Sequence, residues 1–138
     1  MNAKAAISAY QTAIRTTPPL QAIVLLYDGI LVRVHNAELA AERGDYETQF
    51  KQIQGAIAIL RGLIAALDMV RGGDFATRLR DTYETNMRAL LRSVGKPTGA
   101  ECCRRIGGGL RNLRNAWATL AGVPLTGGAA NDDACARD

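Results

Sequence analysis

Ile23, Tyr27, Ile30, Val34, Ala37 and Ala41 follow one another in steps of four and three. That spacing lays one continuous apolar stripe down a helix. Leu20, Val24 and Leu31 form a second row beside the first, so this helix is apolar over more than half its circumference. A helix of that kind needs cover on two or more sides and belongs at the centre of a bundle. Its predicted stop is Gly44, just after Arg43, because glycine readily takes the conformation that closes a helix.

The same period recurs downstream. Asp45 is placed to cap a helix whose stripe is Phe50, Ile53, Ile57, Leu60, Ile64 and Leu67, with Leu63 and Val70 alongside. Arg71-Gly72-Gly73-Asp74 is the predicted break and the cap of the next helix, which carries Phe75, Leu79, Tyr83, Leu90 and Val94, with Met87 and Leu91 beside them. Gly95-Lys96-Pro97 closes it. Thr98, with Glu101 three residues later, fits a capping box, and Ile106, Leu110, Leu113, Trp117 and Leu120 line a final helix. Ahead of the central helix, Ala3 to Arg15 reads as a short amphipathic segment with Ile7, Tyr10 and Ile14 on one side. Thr17 and Pro18 suit a cap and a first turn, and Pro18-Pro19 forbids a continuous helix through the junction. A helix of about thirteen residues is marginal alone, so this segment must dock as an arm, and a docked arm can be displaced.

Short connections force successive helices antiparallel. The expected architecture is all-α: an antiparallel up-and-down bundle of four main helices plus a short N-terminal helical arm. One bundle domain is expected over 1–121, with the arm at 1–16. From Gly122 to Asp138 glycine, alanine and aspartate dominate and no large side chain follows Leu125, so 122–138 reads as a disordered tail.

Composition adds limits. At 138 residues the chain holds one real core, and aromatic residues at 5% suit helices more than sheets. The uninterrupted apolar run Ala22 to Tyr27 is too short to cross a bilayer, and no secretory signal follows Met1. The expected setting is the cytoplasm, without membrane insertion. The net charge of +4 is unevenly spread: seven basic and six acidic residues up to Gly73, then nine basic against four acidic from Asp74 to Leu120. That excess suits phosphate, an acidic partner or water.

Catalytic chemistry finds no support. His35 is the single histidine and has no evident nucleophile to serve. Cys102, Cys103 and Cys135 with His35 lack zinc-site spacing, and three cysteines make no disulfide framework. Gly107-Gly108-Gly109 is followed by no phosphate-loop lysine and reads as a weakened or late-starting helix. No enzyme, cofactor or metal is expected. The broad stripe instead suggests a groove for an amphipathic helix. Tyr27 fits either the core or that groove, and Asp28, poorly suited to a helix interior, implies a hydrogen-bonding task.

Ala9-Tyr10, Thr17-Pro18, Leu26-Tyr27-Asp28-Gly29, Gly44-Asp45-Tyr46, and Leu67-Asp68 followed by Gly72-Gly73 resemble, in order and spacing, the flagellar export chaperone family FliS. Trp117 matches that family's late tryptophan. The resemblance implies a cytoplasmic helical bundle that binds the C-terminal segment of flagellin, keeps it from polymerising early and aids its type III export, with the export apparatus as a further partner. It also implies that the arm shields the groove and moves when flagellin arrives. The candidate contacts are Ile7 and Tyr10 on the arm and Leu20, Ile23, Val24, Tyr27 and Asp28 on the central helix. Tyr10 and Tyr27-Asp28 carry over by motif, and the others follow from their place on the stripe. Gly95-Lys96-Pro97, Cys102-Cys103 and the three glycines depart from the family's continuous charged last helix. The alternative is a basic helical-bundle adaptor or a nucleic-acid-binding module using Arg78, Arg88, Arg92, Arg104, Arg105, Arg111 and Arg114, for which there is no recognition-helix signature and no aromatic platform.

Overall fold

In the computed structural model, which describes residues 20–126, four helices follow one another: α1 (Leu20–Glu42), α2 (Tyr46–Ala65), α3 (Met69–Ser93) and α4 (Gly99–Ala121). The described residues contain helices, turns and short connections and no strand, as the periodicity requires. The central role read for the first of these helices holds: α1 packs most extensively against α4 and α2, and α3 meets α2 and α4 more sparingly. Tyr27, Ile30, Val34 and Ala37 of α1 enter one core with Ile53, Ile57 and Leu60 of α2, Leu79, Tyr83 and Leu90 of α3, and Cys103, Ile106 and Leu110 of α4. The N-terminal arm lies outside the described residues.

Local chemistry explains most of the helix limits. The Asp45 carboxylate accepts from the Thr48 amide at 3.1 Å, satisfying one of the donors that every helix start leaves open. The break between α2 and α3 differs from the sequence expectation. It falls at 66–68, where Asp68 caps α3 by accepting from the amides of Val70 (3.2 Å) and Arg71 (3.0 Å). Gly72-Gly73 therefore lies inside α3, and Gly73, at φ 51° and ψ −130°, makes a kink there. Only a residue without Cβ enters that conformation cheaply, so the glycine pair bends a helix that has already begun. Thr98 does stand at the start of α4, but its side chain makes no capping bond to the first turn.

Two further expectations change. Phe50, placed on the stripe, is 42% exposed, while its neighbour Gln49 is fully buried. Gln49 Nε2 donates to the Ser93 carbonyl and hydroxyl oxygens at 3.4 Å each, and its Oε1 accepts from the Gly95 amide at 3.5 Å. A buried amide with partners on both ends thus ties α2 to the α3–α4 connection. Beside it, a Cβ on Gly99 would sit 2.5 Å from the Ser93 carbonyl oxygen, so the turn closes on glycine. Gly107-Gly108-Gly109 also proves neither a break nor a late start, since α4 runs through all three. A Cβ at Gly107 would stand 3.4 Å from Val34, an ordinary packing contact, so α4 meets α1 here.

Candidate functional site

The kink at Gly73 and the early end of α2 leave one end of the bundle open. There an apolar cavity of about 290 Å³ lies between the start of α1, the end of α2, the first half of α3 and the late part of α4. Leu20 and Ile23 contribute from α1, Leu63 from α2, Leu67 from the α2–α3 connection, Phe75, Leu79 and Tyr83 from α3, and Trp117 from α4. Phe75 and Trp117 meet edge to face, with ring centroids 6.4 Å apart and planes at 67°. That is a favourable arrangement for two rings, yet Phe75 remains 62% exposed. Asp68 and Arg71 supply the charges of the lining. A groove walled by leucine, isoleucine and aromatic rings has little to offer a polar ligand and much to offer the apolar face of a helix.

Tyr83, on the groove lining, leads into a buried tyrosine pair. Tyr27 is fully buried and Tyr83 nearly so; their hydroxyls are hydrogen-bonded to each other and their ring centroids are 6.2 Å apart. Burial pushes both phenols above their ordinary value of 10.0 because it penalises the phenolate. For Tyr83 the charge that would develop on Tyr27 adds to the effect. Gly29, the last residue of the Leu-Tyr-Asp-Gly block, faces α2: a Cβ there would stand 3.3 Å from Ile59 Cδ1. That is a tight fit against the far end of one side chain.

The seven residues singled out from sequence separate into four groups. Ile7 and Tyr10 lie outside the described residues. Leu20 and Ile23 line the groove, both half-buried. Val24 and Tyr27 are buried in the interior, so Tyr27 shapes the groove from beneath. Asp28 lies on another side of α1, where its two oxygens accept from Arg114 Nε at 2.8 Å and Nη2 at 3.3 Å. Leu63 of α2, Leu67 of the α2–α3 connection and Phe75 of α3 are not among these seven, although each stands on a stripe, because only the topology shows that they meet over one gap. Arg114 escaped because it was counted among surface cations, whereas its side chain is 6% exposed.

The basic half of the chain is partly answered from within. Arg104 bridges Glu38 at 3.1 Å and Glu42 at 3.4 Å, and Arg114 is held by Asp28. Two of the seven arginines offered for nucleic-acid binding are thus engaged across the α1–α4 interface. Among the described residues no helix is long and apolar enough to cross a membrane.

With this geometry in hand, similarity to known proteins is informative. The profile of the family described as "Flagellar protein FliS" matches residues 1–123. The flagellar secretion chaperone FliS of Salmonella typhimurium is 31% identical over 112 residues, covering 80% of this chain and 82% of the relative. FliS is a family of chaperones and not of enzymes. A match over nearly all the bundle, together with the Leu-Tyr-Asp-Gly block and an open apolar groove, makes this chain a member of the FliS flagellar secretion chaperone family.

Proposed function

We propose that this chain is a cytoplasmic chaperone that binds the C-terminal segment of flagellin, keeps it from polymerising early and passes it to the type III export apparatus. The observation that carries the reading is the groove of Leu20, Ile23, Leu67, Phe75 and Trp117, which leaves large apolar side chains without full cover. A flagellin end that is disordered before assembly brings apolar faces that need such cover, and burying them offsets the entropy lost on folding.

Titration calorimetry of the full chain with a peptide of the flagellin C-terminal segment tests this. The expected result is a one-to-one complex, and flagellin lacking that end does not bind. An absence of heat at about tens of micromolar, where a helix in a groove should register, would overturn the reading. Salt separates the alternative: nucleic-acid binding weakens steeply from low to moderate salt, and binding of an apolar helix does not.

A further inference from the structure

Arg114 is a guanidinium 6% exposed with three directions of use. Two are its bonds to the Asp28 carboxylate. The third is Nη1, which donates to the Pro124 carbonyl oxygen at 2.6 Å and to Asn115 Oδ1 at 3.2 Å. Next to it, the Asn115 amide reads the backbone of Thr126 with both its functions: Nδ2 donates to the Thr126 carbonyl oxygen at 3.0 Å and Oδ1 accepts from the Thr126 amide at 3.2 Å. Gly122, left-handed at φ 72°, turns the chain, and the Val123 amide donates to the Ala118 carbonyl oxygen at 2.9 Å. Residues 123–126 consequently run back along α4, held by main-chain groups.

We infer that Asp28 is a positioning residue: it fixes Arg114 across the α1–α4 interface, and Arg114 with Asn115 straps residues 123–126 onto α4. Without the carboxylate, a buried guanidinium loses its counter-charge. Its lowest-energy course is to turn toward water, which gives up the Pro124 carbonyl. A residue on the first helix thereby controls the exit of the chain from the last.

Amide exchange, followed by NMR on the full chain without partner, is the test. Asp28→Asn should speed exchange at Thr126, whose amide donates to Asn115, about tenfold, the scale of losing a hydrogen bond to a charged group. Core amides such as Leu60 and Leu90 should keep their rates. Asp28→Glu should restore part of the protection. Asn115→Ala should release Thr126 without touching the Asp28–Arg114 pair, and it serves if an Arg114 variant fails to fold. Unchanged exchange at Thr126 in Asp28→Asn would overturn the inference. So would a loss of flagellin-peptide affinity in that variant with the strap undisturbed, because Asp28 would then touch the partner directly. If the unaltered protein binds no peptide, the groove reading fails and the exchange result still decides the strap.

Discussion

Tyr27 and Tyr83 each offer a hydroxyl to the other in a setting where neither has water to fall back on. Removing the Tyr27 hydroxyl leaves that of Tyr83 buried and unsatisfied, at a cost of about 1–3 kcal/mol, whereas Tyr27, which the Trp117 side chain also reaches, keeps a partner when Tyr83 loses its hydroxyl. Tyr27→Phe and Tyr83→Phe should each lower stability in urea titrations, and the double variant should lose less than the sum. The pair also sets an alkaline limit. Both folded-state values are raised, so the contribution is complete below pH 10. Above pH 10 the unfolded chain releases protons that the folded chain retains, and stability falls as pH rises. The double phenylalanine variant should show a shallower decline over that range. Sequence revealed that Tyr27 stands in the apolar stripe but left it divided between core and groove. Its position was legible and its partner was not, because Tyr83 lies 56 residues away and no local spacing signals such a contact.

At the scale of helices, the start of α2 was readable because a cap is a local matter. Asp45 caps α2 as its place after Gly44 suggests. The α2–α3 break was misplaced because two successive glycines are the stronger written stop signal, while Asp68 is a short cap hidden behind Leu67. What decides is that capping at Asp68 satisfies two amides and leaves Gly73 free to bend the helix that follows. The bend has a measurable consequence. Gly73→Ala must either hold alanine at positive φ, at a cost of about 1–3 kcal/mol, or straighten α3 and carry Phe75 away from Trp117. Either outcome lowers the urea midpoint, and the second also changes Trp117 fluorescence. An alanine that left both unchanged would mean the kink has no part in setting the groove wall.

Across the whole molecule, the fold places neighbours in sequence on opposite sides of a functional boundary. Periodicity put Ile23 and Val24 on adjoining rows of one helix and could not tell them apart, since both rows are apolar and only the packing of α2, α3 and α4 says which is covered. In the assembled bundle Val24 is 1% exposed, whereas Ile23 is half-buried and lines the groove. Truncating Val24 to alanine therefore removes interior contacts and should cost about 1–3 kcal/mol of stability, with peptide affinity little changed while the chain stays folded. Truncating Ile23 removes groove wall that is still partly in water, so the stability cost should be smaller and the loss should fall on affinity. A decrease of about tenfold in peptide binding is expected from deleting a few apolar carbons at such a contact. Calorimetry and urea unfolding on the two variants give four numbers. Should Val24→Ala weaken binding as much as Ile23→Ala at equal stability, the partner would have to reach the interior face of α1, and the groove would be a different one.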